Sequence, residues 1–349
     1  MGDKKPYAPG NFKNTLTILF SAVQVYTHND KEHLKNCQCT VMHYLRDKSI
    51  LMTQAKILLH SMLGIRQVYF VEPSFISGIS GQASEENISL EYKTIYSYII
   101  DDMGFYFDSK SGSRIEQYIN AKDFVLSVEE KKRCIELIQF IVRNKITKYN
   151  FQPLDVLECM KQEGKKVLVV DQTFVDASIV RGGGSNASFD RMLVDALKEH
   201  PDATVFVKSH PDTHLQKKSS YYEDLALSQA DNARIVMITA PVNPYVLLER
   251  VDLVYTCTSQ LGFEALMAGK KVKTYGMPIY AGWGITEDAF PCPRRKSKRS
   301  VEEIFYALYI VFATHIDPFT RERCTLEQYL ESLLVLRDRY FESHSHDAK

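Results

Sequence analysis

Where short apolar runs of this 349-residue chain end, four stretches place side chains capable of chemistry. In VEPSF, Glu72 stands just before Pro73, either as a general acid or base on a cleft wall or as a surface acid at a turn. In DQTFVDAS, Asp171, Gln172, Asp176 and Ser178 follow an apolar run. Acids so placed cap turns and helices or line a site, and the RGGGSN that follows is a flexible loop able to cradle a phosphate ahead of a helix. In KSHPD, Lys208 and His210 are two residues apart, on the same side of a strand, where they can converge on an anion such as phosphate. In TCTSQLGFEALMAGK, Thr258 and Ser259 can cap the next helix, whose free N–H groups favour phosphate. Glu264, about one and a half turns into that helix, either reaches a ribose or stays solvated. Neither G-x-x-x-x-G-K-[ST] nor G-x-G-x-x-G is present.

Positioning these residues takes strands that alternate with helices. KKVLVVDQ (165–172), ATVFVKSHP, ARIVMIT, DLVYTCTS and KVKTYG read as strands. SFDRMLVDALKEHP (188–201), NPYVLLERV and QLGFEALMAGK read as helices, the first with Phe189, Met192, Leu193, Ala196 and Leu197 on one face. The alternation predicts a parallel sheet covered on both faces, a doubly wound unit from about 160 to 290. Earlier in the chain, TLTILFSAV (15–23) and QVYFVE (67–72) read as strands around a helix over 41–63. SRIEQYIN and EEKKRCIELIQFIVRNKITKYN, within 113–150, read as helices. A polar linker is expected over 147–166, with Pro153 and Gly164, and two helices near 300–314 and 325–340. The expected fold is α/β and GT-B-like, with two Rossmann-like domains and C-terminal helices. Residues 1–155 form the acceptor side and 156–349 the donor side, around a cleft between the carboxyl ends of both sheets. A phosphate-shaped set from one domain and a carboxylate from the other fit a transferase acting on a nucleotide-sugar.

Composition narrows the class. Lys and Arg balance Asp and Glu at 43 each, so net charge gives no sign of a nucleic-acid partner. Seven Cys, including the pair Cys37 and Cys39, show no zinc spacing and read as reduced thiols. No apolar run reaches the ~18–20 residues of a membrane span. MGDKKPYAPGNF has no secretion-signal core, and Pro6 stands where a myristoylation signal wants Ser or Thr. The expected location is cytoplasmic, at most peripheral to the inner membrane. In RRKSKR (294–299) the basic run is either a solvated face or a contact for an anionic lipid surface.

Six segments resemble the KpsC/KpsS family of bacterial capsule-synthesis Kdo transferases, most like a single KpsC module. They are VEPSF, IIDDMGFYFDSKSGSRIEQYIN, VVDQTFVDAS, VKSHPD, TSQLGFEALMAGKKVKTYGMPIYAGWG and HIDPFTRERCT, spanning roughly residues 68–340. The resemblance implies a CMP-β-Kdo donor, a glycan or glycolipid acceptor and a retaining double displacement. It implies Asp176 as nucleophile, with Asp171 as the alternative, and Glu72 as acid/base. It places Gln172 and Gln260 at the donor, His210, Lys208 and Ser259 on the CMP phosphate, and Glu264 on the ribose. Pro278, Tyr280 and Trp283, in the loop YGMPIYAGWGITED (275–288), would line the donor with flat rings, unless the loop packs around its own Trp. No cofactor and no metal are implied, and Asp101 and Asp102 of IDDMG read as scaffold. One departure matters. Family modules read E-D-G-F-L-R-S where this chain reads Glu72-Pro73-Ser74-Phe75-Ile76-Ser77-Gly78. An Arg suited to a sugar carboxylate is therefore gone, and the donor can be another CMP-activated ulosonic acid. A transferase using a different nucleotide-sugar and a non-catalytic glycolipid-binding module are the competing functions.

Overall fold

A computed structural model of the chain describes residues 39–42, 67–80, 88–173, 176–209, 221–222 and 229–344. The strand expected at 15–23, most of the helix expected at 41–63, and His210 lie outside the described residues. Two sheets organise the rest. The first has the order β1-β2-β3-β10-β11, from Cys39–Met42, Gln67–Pro73, Ser97–Asp101, Ala313–Ile316 and Arg323–Cys324. The second has the order β6-β5-β4-β7-β8-β9. Its strands β4 to β9 are Lys166–Val170, Thr204–Lys208, Ile235–Ile238, Leu253–Thr256, Lys271–Thr274 and Glu287–Asp288.

Every pairing in the second sheet is parallel. Counted from β4, its order is 3-2-1-4-5-6, that of doubly wound dinucleotide-binding sheets. The cause is visible in β4, whose five residues are all buried. A strand covered on both faces needs a continuous apolar run, and KVLVV supplies one. Val167 and Val169 face a core with Phe189, Met192, Leu193, Ala196 and Leu197 of the helix Asn186–Glu199, the residues grouped by their helical spacing. Leu168 and Val170 face the opposite core, which continues through Phe263 and Tyr309 to Phe75, Ile76 and Ile99 of the first half. Burying one such aliphatic side chain contributes ~1.5–3 kcal/mol, so a core shared by both sheets holds them together.

The first sheet differs from expectation. Among the described residues only β1 and β2 pair in parallel, while β2–β3, β3–β10 and β10–β11 are antiparallel. Residues 41–42, expected to open a helix, end β1. The tail also returns to this sheet. The expected helix near 300–314 is the α-turn Val301–Phe305 and a π-helical Tyr306–Val311, followed by β10. The helix Leu326–His344 docks there too, with the Tyr329 hydroxyl donating to the Ile76 carbonyl at 3.1 Å. A single boundary near 155 therefore does not separate the sheets, because the chain crosses back after about residue 300. The expected linker also starts too early. Thr147, Asn150 and Gln152 are buried, and Asn150 donates to the Thr147 and Gly78 carbonyls at 2.7 Å each.

Candidate active site

The strand order of the second sheet reverses between β4 and β7, and four of the sequence-selected residues gather there. Gln172 clasps the two strand ends: its Nε2 donates to Thr258 Oγ1 at 3.1 Å, and its Oε1 accepts from the Thr258 N–H at 2.8 Å. Asp171 is 2% exposed, and its Oδ1 accepts from the N–H groups of Gln172 (2.9 Å) and Tyr221 (3.3 Å). Lys208, at the end of neighbouring β5, is buried. Burial pulls its pKa down to about 8, against the attraction of Glu264 and Asp171. Ser259, expected to cap the helix Leu261–Met267, stands one residue before its N-cap Gln260 and takes N–H groups meant for phosphate. Its Oγ accepts from Leu261 at 3.3 Å and its carbonyl from Gly262 at 3.2 Å.

A second cluster lies where the sheets meet. Glu72, on β2 and paired across from Ile99 of β3, is buried. Asp176 is the N-cap of the turn Ala177–Arg181 and is half-buried. Its Oδ1 accepts from the Ser178 N–H at 2.8 Å, and Oδ2 makes no hydrogen bond with the described residues. Both carboxylates act on Tyr106 and Lys148. Burial lowers the Lys148 pKa, but Tyr149, Tyr106, Asp176 and Glu72 outweigh it and hold the ammonium above its ordinary value. Burial also pushes the Tyr106 phenol up to about 12, opposed by Lys148 and helped by the two acids. An acid from each sheet thus shares one cation. Sequence reasoning missed Lys148 and Tyr106 because each is a single polar residue in a polar or aromatic stretch; only the folded chain brings the acids to them.

Glu264 and Gln260 tie the halves together. The Glu264 carboxylate accepts a short hydrogen bond from the Thr147 hydroxyl, and Gln260 Nε2 donates to the Phe75 carbonyl. Burial raises the Glu264 pKa to about 7, against hydrogen bonds from Thr147 and the Lys148 N–H. A ribose at Glu264 would have to displace the Thr147 hydroxyl. Behind Glu72, a buried chain of hydrogen bonds supports the turn. Ser74 Oγ donates to Ser97 Oγ at 2.6 Å, Ser97 Oγ to His315 Nδ1 at 2.8 Å, and His315 Nε2 to the Tyr309 carbonyl at 2.8 Å. Burial takes the His315 pKa to about 4, which keeps the ring neutral and able to accept from Ser97. Asp101 is scaffold, as expected: it accepts from the N–H groups of Met103, Gly104, Arg114 and Ile115 at 2.8–3.1 Å.

Packing bears on three of the sequence expectations. Trp283 and Tyr280 are each 1% exposed and present no flat face to a ligand. The Trp283 indole donates to the Ile279 carbonyl at 2.7 Å, and Tyr280 packs so close to Gly262 that a Cβ there would lie 2.2 Å from its hydroxyl. Pro278 is buried with them, its carbonyl accepting from Arg295. The basic run is split between solvent and interior, with Arg294, Lys296 and Lys298 exposed and Arg295 and Arg299 turned inward. Arg295 is buried, its guanidinium 5.4 Å from the Trp283 ring and bonded to Glu116 at 3.0 Å and to the Ala281 carbonyl at 2.7 Å. Arg294 pairs with Glu116 as well while staying exposed, and Arg299 donates to the Ile119 carbonyl. In the RGGGSN loop, Gly182 and Gly184 pack closely while Gly183, Ser185 and Asn186 are exposed. A Cβ at Gly182 would lie 2.6 Å from Thr258 Cγ2, and one at Gly184 2.5 Å from Cys257 Sγ.

The chain is thus an α/β protein with acids and cations gathered at the carboxyl ends of a doubly wound sheet, the place where open α/β sheets bind ligands. The chain belongs to the capsule polysaccharide biosynthesis protein family, whose family model matches residues 67–317. The capsule polysaccharide modification protein LipA of Neisseria meningitidis serogroup B is 36% identical over 251 residues, covering 69% of this chain and 35% of LipA. The lipopolysaccharide-processing protein LpsZ of Rhizobium meliloti is 34% identical over 244 residues, covering 68% of this chain and 54% of LpsZ. The chain thus spans about a third and about half of these relatives. Among solved structures, the Thermosulfurimonas dismutans KpsC β-Kdo 2,4 transferase superposes with a TM-score of 0.80 at 27% identity, over 94% of this chain and 96% of that one. The β-Kdo 2,7 transferase of the same KpsC shares the fold, with a TM-score of 0.64 at 22% identity, over 93% and 95%. Among the described residues no helix is long and apolar enough to cross a membrane.

Proposed function

We propose that this chain is a retaining glycosyltransferase of GT-B arrangement. It moves β-Kdo or a related ulosonic acid from a CMP-sugar to a glycan or glycolipid acceptor in capsule or surface polysaccharide synthesis, in the cytoplasm. One observation carries the reading: Glu72, buried on β2, and Asp176, half-buried in the turn after β4 with Oδ2 in no hydrogen bond among the described residues, lie near the same Lys148 and Tyr106. Double displacement needs two carboxylates on opposite sides of one anomeric carbon. The structural likeness to a β-Kdo transferase at 27% identity supports the donor.

In the first step an oxygen of Asp176 attacks the anomeric carbon, the bond to the CMP phosphate breaks, and the electron pair leaves with the phosphate. Lys208, His210 and Ser259 meet that charge. The N-cap bond to Oδ1 steadies the Asp176 carboxylate while Oδ2 stays available. In the second step Glu72 takes the proton of an acceptor hydroxyl, whose oxygen attacks the same carbon and releases Asp176. Two inversions give net retention. Asp171 serves this chemistry less well, because its carboxylate is buried and holds the loop's backbone. A thermal-shift panel tests the nucleotide. CMP at ~100 Kd is expected to stabilise the chain by ~2.7 kcal/mol, and UMP and UDP are not. Stabilisation by UDP alone would point to a different nucleotide-sugar. CMP binding with no CMP released from any CMP-ulosonate would favour a non-catalytic module.

A further inference from the structure

The Lys148 ammonium sits at the meeting of the two sheets, within the field of Asp176 and Glu72 but in no ion pair among the described residues. Its carbonyl accepts from the Ser77 N–H at 3.3 Å, and the next residue, Tyr149, bridges to Gly78, so the backbone is fixed just past the Glu72 strand. Its N–H faces Glu264 on the other side. Among the described residues its Nζ makes no hydrogen bond or ion pair and lies 5.5 Å from the Tyr149 ring. The Tyr106 hydroxyl likewise has no hydrogen-bond partner among the described residues, and its ring packs on Phe75 at 5.4 Å. A half-buried cation with a half-buried phenol near it, neither hydrogen-bonded among the described residues, keeps its donors open at the junction. That arrangement suits an anion that arrives with the substrate.

We propose that Lys148, with the Tyr106 hydroxyl beside it, recognises the carboxylate borne by the anomeric carbon of an ulosonic-acid donor, and so selects such donors over neutral sugars. This rests on the transferase reading above. An ulosonic donor brings a fixed negative charge between Asp176 and Glu72, which are themselves acids. Without a cation there, three like charges would crowd one carbon; with Lys148 the charges are offset. Lys208 cannot do this work, since it lies at the end of β5 between Asp171 and Glu264, on the phosphate side. The arrangement also answers the missing Arg of the VEPSF segment: the cation comes from a different part of the chain.

The test is calorimetric binding of CMP and CMP-Kdo, and of free Kdo against its C1 carboxamide, to wild type, Lys148→Met, Lys148→Arg and Tyr106→Phe. Lys148→Met is expected to weaken CMP-Kdo and Kdo by ~10- to 100-fold while leaving CMP within about twofold. Lys148→Arg should restore part of the loss, and Tyr106→Phe should cost less than Lys148→Met. Wild type should prefer Kdo to the carboxamide, and Lys148→Met should abolish the preference. Because the carboxamide comparison uses wild type, it decides the matter even if Lys148→Met folds poorly. Equal binding of Kdo and carboxamide by wild type, or equal losses for CMP and CMP-Kdo in Lys148→Met, would overturn the inference alone. Failure of wild type to bind CMP-Kdo more tightly than CMP would overturn the donor reading and the inference with it.

Discussion

The crevice inside the parallel sheet and the junction between the two sheets use similar residues to opposite ends. In the crevice, Gln172 and Asp171 are fully engaged. Gln172 spends both ends of its amide on Thr258, and Asp171 takes two backbone N–H groups. At the junction, polar groups are left over: Asp176 Oδ2, the Lys148 ammonium and the Tyr106 hydroxyl have no hydrogen-bond partner among the described residues. Saturated polar networks rigidify, while unsatisfied ones in a cleft are where a substrate finds its bonds. The difference teaches that the two acids of one loop, Asp171 and Asp176, have separate jobs despite lying five residues apart.

Exchanging the two acids should break the comparison most sharply. Asp176→Asn keeps an N-cap and should leave the denaturation midpoint unchanged while turnover falls ~10⁴-fold. Asp171→Ala strands the Gln172 N–H, which is buried, and the Tyr221 N–H, which is partly so, and should cost ~1–3 kcal/mol of stability in urea unfolding while turnover per folded molecule is retained. A comparable loss of turnover in both would erase the distinction.

Next in size is the latch outside both regions. Arg295→Met leaves Glu116 with one fewer partner, takes the Arg295 donor from the Ala281 carbonyl, and leaves the Pro278 carbonyl with only the Ala281 N–H. Breaking a buried pair costs ~3–5 kcal/mol, visible as a lowered midpoint. An unchanged midpoint would return the basic run to the surface role first expected of it.

The pH dependence of stability sharpens the crevice. Glu264 titrates near 7 in the folded chain against an ordinary 4.5, so the folded chain holds a proton the unfolded chain has lost. Stability from this group is full below 4.5 and is lost as pH rises towards about 7. Lys208 has the opposite sign: its stability is full above 10.5 and is lost as pH falls towards about 8. Glu264→Gln should therefore remove a downward slope between 4.5 and 7 and stabilise the chain at neutral pH, as read from urea midpoints across that range. The smallest effect concerns Trp283. Buried at 1% exposure, it should show little change in acrylamide quenching when CMP binds. Strong protection on binding would reinstate it as a ligand-facing ring.

The parallel sheet was legible because its strands are covered on both faces, which forces runs such as KVLVV, and because its helices repeat at helical spacing. The return of β10 to the first sheet was not legible. ATHI is four residues long, half polar, and follows a π-helical segment that reads as a plain helix. Acids at strand ends stood out in the sequence, but the distinction between Asp171 and Asp176 depends on which backbone N–H groups fold against them. The loop around Trp283 misled because Gly, Pro and aromatic residues suit tight packing as well as ligand contact. Nothing in RRKSKR marked Arg295 for burial, since its partner Glu116 is 179 residues away.

Intact-protein mass after incubation with CMP-Kdo, for wild type, Glu72→Gln, Asp176→Asn and Asp171→Asn, tests the central claim most directly. Double displacement through Asp176 predicts a covalent adduct of one sugar, longer-lived in Glu72→Gln, mapped by peptide analysis to Asp176 and absent from Asp176→Asn alone. An adduct on Asp171, or CMP release with retention of configuration and no adduct in any variant, would contradict it.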